Sequence, residues 1–192
     1  MRRSNPMGTK SIHRIKAILV AVAILAVMPV PAAPTDALDR WNQEDCVNFD
    51  PATIRLRQVN GRWKLAEGSR WLFDFGSNQT AAKKALQVIV RYRMNRTCFI
   101  GRPEPSFTYL LAKGGIPAGP MAGEDCVAFD PQRVRVSKIQ NRWKIVQGRR
   151  WLFDFGKKET EARRALATIK RYGFARSCFV GRPQADFSYL RR

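Results

Sequence analysis

Histidine is nearly missing from the chain: 192 residues contain one, His13, and it lies in a basic stretch at the N-terminus. Past that stretch no Ser-His-Asp or Cys-His constellation can be assembled, which removes the common nucleophilic hydrolase arrangements. The sequence also lacks a nucleophile elbow, a phosphate-cradling Gly loop and a zinc-protease motif. Cysteine is scarce, with Cys46, Cys98, Cys126 and Cys178 all far apart in sequence. A structural metal site wants soft ligands clustered at short spacing, so no metal is expected, and no motif calls for a cofactor. Acidic residues number 15 against 35 Lys and Arg, a net charge of +20. After residue 33 no apolar run approaches the ~20 residues of a spanning helix.

The N-terminus has the form of an export signal. Arg2, Arg3, Lys10, Arg14 and Lys16 precede Ala17–Val30, an apolar run broken only by Pro29, and small residues follow at Ala32 and Ala33. A basic segment, a short apolar segment and a cleavage-like Val30-Pro31-Ala32 read as a secretory signal peptide over residues 1–33. The expected location is the periplasm or the extracellular space, with no membrane span once the signal is cleaved. An uncleaved N-terminal anchor is the alternative, but the run is short and ends in a Pro-rich patch. Without the five basic residues of the leader the net charge is +15.

The rest of the chain is written twice. Glu44–Leu110 reappears eighty residues later as Glu124–Leu190 without a gap, at about half identity. Repetition of this kind marks duplicated structural units. The expected organisation is an N-terminal segment (34–43), a first repeat module (44–111), a linker rich in Gly, Pro and Ala (112–123) and a second module (124–192). Each copy carries two cysteines at matching places, so the economical pairing is Cys46–Cys98 and Cys126–Cys178. Each bridge would close a loop worth roughly 4 kcal/mol in the chain-entropy model, and export supplies the oxidising compartment. With its own staple and its own core, each copy is expected to be self-sufficient. The first copy carries a net charge of +5 and the second +10.

Within a copy, Thr53–Arg57 alternates polar and apolar residues, Asn60-Gly61 follows, and Arg62-Trp63-Lys64-Leu65 alternates again. Asn-Gly between alternating runs is a strong hairpin signal; Gln140-Asn141 holds the same place in the second copy. One face should show Ile54, Leu56, Trp63 and Leu65, the other Arg55, Arg57, Arg62 and Lys64. A third strand, Trp71–Phe75, is expected to add Trp71, Phe73 and Phe75 to the apolar face, which requires an odd-length loop after Leu65. A helix follows, with Ala82, Ala85, Leu86 and Ile89 on one stripe and Ala162, Ala165, Leu166 and Ile169 on its counterpart. Two short strands, around Cys98–Ile100 and Phe107–Leu110, close the unit. The expected fold class is α+β: two tandem copies of a β-β-β-α-β-β module, each an antiparallel sheet with one amphipathic helix on one face.

The outward basic strip is the leading binding candidate: Arg55, Arg57, Arg62 and Lys64 in the first copy, Arg135, Arg142 and Lys144 in the second. Arg102 and Arg182, in Gly-Arg-Pro turns, are further anion contacts, although pairing to the chain is the plainer reading. Trp63, Trp71, Trp143 and Trp151 alternate with polar residues, which favours core packing over sugar-stacking platforms. Asp74 and Asp154 are the carboxylates a hydrolase would use; as cross-strand partners of Arg62 or Lys64 they need no catalytic role.

The pieces Gly61-Arg62-Trp63-Lys64, Trp71–Gly76 and Cys98-Phe99-Ile100-Gly101-Arg102-Pro103 together resemble a repeat of exported bacterial proteins, found singly or in tandem, for which no activity is established. The resemblance spans nearly all of both copies and implies a bacterial origin and export, and nothing about activity. The expected function is that of a non-catalytic exported protein whose disulfide-stapled modules offer basic surfaces to an anionic envelope or extracellular partner. An anionic polymer, a lipid phosphate, an acidic protein and nucleic acid all fit the charge; nucleic acid fits least, for want of exposed aromatics among the basic residues. The alternative is a hydrolase acting on an envelope polymer through paired aspartates.

Overall fold

In the computed structural model residues 44–192 are described; the expected signal peptide and the 34–43 segment lie outside the described residues. The first copy forms β1 (Asp45–Asn48), β2 (Arg55–Val59), β3 (Arg62–Glu67), β4 (Arg70–Asp74), α1 (Gln79–Arg91), β5 (Met94–Ile100) and β6 (Phe107–Ala112). The second repeats this as β7 (Asp125–Ala128), β8 (Arg135–Ile139), β9 (Arg142–Gln147), β10 (Arg150–Asp154), α2 (Glu159–Tyr172), β11 (Arg176–Val180) and β12 (Phe187–Arg191).

Local sequence accounts for much of this. Asn60 and Gly61 both take positive φ, 49° and 74°, and Gln140 and Asn141 do likewise at 50° and 59°. Two left-handed residues in succession give the turn whose twist matches the strands it joins. The register follows, with Val59 opposite Arg62 and Arg57 opposite Lys64. Helix α1 begins at Asn78, whose side chain accepts the Ala81 N–H at 3.0 Å, and buries Ala81, Ala82, Ala85, Val88 and Ile89. Helix α2 lacks that cap but carries Glu159 and Glu161 in its first turn and Lys170 and Arg171 in its last, which suits its dipole. Its chain leaves through Gly173 at φ 64°. The matching residue after α1 is Arg93, at φ 51°, a conformation that costs a non-glycine residue about 1 kcal/mol.

The expected fold class is corrected in three respects. The described chain is mostly β, 43% strand and 18% helix. Each copy opens with a strand that the β-β-β-α-β-β order omits, and each builds two three-stranded sheets instead of one: β2-β3-β4 and β1-β5-β6, then β8-β9-β10 and β7-β11-β12. The omitted strands are β1 and β7. Their short Asp-Cys-Val segments lack a full period of alternation, yet they set Cys46 opposite Cys98 and Cys126 opposite Cys178. The disulfides join those same pairs.

The third correction concerns the cores. Helix α1 packs on its own sheet through Ile54, Leu65 and Phe75, but the same cluster takes in Cys178, Val180, Phe187 and Tyr189 of the second copy. Helix α2 packs with Val134, Ile145 and Phe155, and with Cys98, Ile100, Phe107, Tyr109 and Leu111 of the first. Each helix is thus sandwiched between its own hairpin sheet and the disulfide-bearing sheet of the other copy. The expectation that each copy owns a core does not hold; the described residues, 44–192, fall within one compact unit. At roughly 1.5–3 kcal/mol for each large side chain fully buried, this exchange is a main source of stability.

Polar contacts follow the same crossing. The Glu44 carboxylate accepts the Tyr172 hydroxyl, and the Glu124 carboxylate accepts the hydroxyls of Tyr92 and Tyr189. Arg191 closes the second cluster at 2.9 Å from Glu124, both side chains being nearly inaccessible. Burial, reinforced by the neighbouring carboxylate, pushes the Tyr172 and Tyr92 hydroxyls up to about 12. They remain protonated donors at neutral pH. Burial alone would raise Glu124, but the hydroxyls of Tyr189 and Tyr92, with the Met121 N–H and the Arg191 charge, together outweigh it and hold the carboxyl below its ordinary value.

Candidate binding faces

The outer faces of the two hairpin sheets carry the leading candidates. Strand alternation sets Arg62, Lys64 and Ala66 of β3 on the side away from α1, with Arg57 and Arg55 beside them on β2. What changes the face is β4. Glu67 pairs with Arg70 across a two-residue Gly68-Ser69 loop, Trp71 pairs with Ala66, and Phe73 pairs with Leu65. An extra residue, Leu72, is accommodated between them, and a bulge of this kind reverses which way the chain presents its side chains. Phe73 therefore turns to the core and Trp71 to the outside, 57% exposed. The same bulge between Trp151 and Phe153 leaves Trp151 57% exposed. The sequence-based expectation that Trp71 and Trp151 pack in the core by way of an odd-length loop is corrected accordingly.

Around each indole the charges are organised. The Lys64 ammonium lies 3.4 Å from the Trp71 ring centroid and 3.0 Å from the Asp74 carboxylate. Arg62 donates to both Asp74 oxygens at 3.1 Å, and the Gly76 N–H to one of them at 2.9 Å. In the second copy Arg142 donates to Asp154 at 3.0 and 2.9 Å, Lys144 stands 3.3 Å from it, and the Lys144 ammonium is 4.8 Å from the Trp151 ring. Arg142 above all, helped by the Gly156 N–H and Lys144, pushes the Asp154 carboxyl down to about 2. Arg62 does the same for Asp74, which lies well below the usual carboxylate range. Both aspartates are fixed anions.

The candidates are therefore not one open strip. Lys64 and Lys144 are buried, 6% and 8% exposed, beneath the tryptophans. Arg62 and Arg142 are exposed but committed to Asp74 and Asp154. Arg55 is exposed and donates to the Ala52 and Ile54 carbonyls; Arg57 and Arg135 are exposed on the same faces. Arg102 pairs with Asp45 at 3.2 Å and stacks on Phe99, and Arg182 binds Asp125 at 2.6 Å while stacking on Phe179. These two arginines anchor the turns to β1 and β7. Whole-copy charge is also a poor guide to the faces: Arg55, Arg57, Arg62 and Lys64 against Asp74 leave +3, whereas Arg135, Arg142 and Lys144 against Asp154 leave +2. Position 57 is Arg, but its counterpart is Ser137.

The carboxylate and sulfur groups that come nearest to a metal-type cluster, Glu44 with Cys46 and Cys98 and Glu124 with Cys126 and Cys178, have their sulfurs engaged in disulfides. No helix among the described residues is long and apolar enough to cross a membrane. The two disulfides are compatible with an exported protein. No protein-family model matches the chain, and neither a curated protein nor a solved structure matches it.

Proposed function

We propose that the chain is an exported, non-catalytic binding protein whose two outward sheet faces hold an anionic glycan of the cell envelope or its surroundings. The observation that carries this reading is the pair Trp71 and Trp151, equally exposed at equivalent places, each seated on a buried lysine that is itself paired to an aspartate. The indole keeps its place in both copies although its neighbours Arg57 and Ser137 have diverged. One ring face rests on the ammonium; the other is open to the C–H face of a sugar, a contact worth about 1 kcal/mol by analogy with aromatic pairs. The aspartate offers an acceptor for a hydroxyl, and Arg57, Arg55 and Arg135 offer charge for a carboxylate. Two such faces on one chain gain avidity for a polymer.

A binding role is further supported by Asp74 and Asp154. A glycosidase keeps one carboxyl protonated as general acid by raising its pKa, whereas here both are driven the other way. Single-stranded nucleic acid is the second reading, because bases also stack on aromatics beside basic residues; the glycan is preferred because the aspartate beside each indole offers an acceptor to sugar hydroxyls. The test is titration of the mature protein, and of W71A/W151A, with a uronic-acid oligosaccharide, a neutral oligosaccharide and oligothymidylate. The uronic-acid ligand should bind best, and the double variant should weaken it at least about tenfold. Preference for oligothymidylate, or affinity unchanged in the double variant, would overturn the glycan reading.

A further inference from the structure

The two copies differ where a cleft opens beside the end of α1. It has a volume of about 610 Å³ and is walled by Phe49, Pro51, Ala52 and Val90, with Arg93 and Lys113 at its edge. Val90 is 51% exposed although it shares the outer helix face with the polar Lys83, Gln87 and Arg91; its counterpart in α2 is Lys170, a solvated choice. Arg93 holds a left-handed conformation at φ 51°, where the second copy uses Gly173 at φ 64° without strain. Ala52 is answered by Gln132. At three places around one cleft the first copy thus has a residue that suits a ligand, and the second has the residue that suits water or the backbone. Arg93 and Lys113 form no salt bridge with another described residue. The one carboxylate among the described lining residues, Asp50, accepts the Ala52 N–H at 2.8 Å.

We propose that this cleft is a second, separate binding site, for a small amphiphile with an apolar body and one anionic group. The body lies against Phe49, Pro51, Ala52 and Val90, and the anion meets Arg93 and Lys113. A non-glycine residue kept in the left-handed region is a feature that clusters at functional sites, and an apolar cleft with a few convergent polar groups is the usual form of a small-molecule site. The site does not depend on the glycan reading, because none of its residues lies on the tryptophan faces.

The experiment replaces the first-copy residues by those of the second. V90K/R93G should fold at least as well as the parent, since Gly relieves the left-handed strain and Lys is solvated there. Calorimetric titration with decanoate and with 2-naphthoate distinguishes an acyl chain from a flat aromatic body; decanol and acetate test the charge and the apolar part separately. One of the two acids should bind the parent at one site per chain, and V90K/R93G should weaken it about tenfold. Lys113→Ala, at an exposed position, should also weaken it and provides a second measure. Absence of saturable binding by either acid, equal binding of decanol, or affinity unaffected in both variants would overturn the site.

Discussion

Residues 120–192, produced alone and oxidised, should not persist as a folded monomer. The fragment keeps its disulfide and its hairpin sheet, but Val180, Phe187 and Tyr189 lose α1 as their cover. Helix α2 at the same time loses Ile100, Phe107, Tyr109 and Leu111 from its outer side. Returning three large side chains to water costs about 5–9 kcal/mol, against a total stability of roughly 5–15 kcal/mol for an ordinary domain. The bare underside of α2 adds to that. Two fragments can restore everything by trading sheets, because the second copy then supplies what the first supplied. Sedimentation velocity should find a dimer at tens of micromolar, and circular dichroism should find structure and dimer lost together on dilution. A monomer that melts cooperatively near the temperature of the full chain would refute the interleaved core.

Asp154→Asn should lower the melting temperature at neutral pH and leave it nearly unchanged near pH 2: the folded carboxyl titrates at about 2, below its ~3.9 unfolded value, so its contribution is present above pH ~4 and fades as pH falls toward 2. Partial exposure reduces that contribution to about 1 kcal/mol, a few degrees in a thermal melt. Glu124→Ala should cost more, about 3–5 kcal/mol, because Arg191 would remain buried without its partner; chemical denaturation gives the number, and a loss under 1 kcal/mol would count against the buried Glu124–Arg191 pair as a source of stability. Reduction of both bridges should cost roughly 4 kcal/mol each in the chain-entropy model, read as a shift in the denaturation midpoint with and without reductant.

The parts of the fold legible in the sequence were those governed by neighbours along the chain. Asn60-Gly61 fixes a hairpin and its register, the Ala82–Ile89 stripe marks a helix, and matched cysteines imply matched bridges. Alternation also identified Arg62, Lys64 and Asp74 as sharing a face. The orientation of Trp71 was not read, because an apolar residue every second position implies one face only if no bulge intervenes. A count across the two-residue Gly68-Ser69 loop would have put Trp71 opposite Ala66 and turned it outward. The exchange of sheets was illegible for a different reason. Periodicity says that Val180 and Phe187 need a helix to cover, and two copies offer two helices with the same Ala-Ala-Leu-Ile stripe. The Lys64 and Lys144 ammoniums, read as surface charge, are buried because an aspartate and an indole close over them.

An arrangement in which each repeat completes the other is what a symmetric pair of separate chains would have, and the 112–123 connection turns such a pair into one polypeptide. Two identical subunits encoded by one gene must change together: a residue altered in one is altered in both. Once joined, each half can drift while the other preserves the shared architecture. Val90 and Arg93 opposite Lys170 and Gly173, or Arg57 opposite Ser137, are differences that two identical subunits could not keep. A repeat of this type that occurs singly would have to find its missing half in a second molecule.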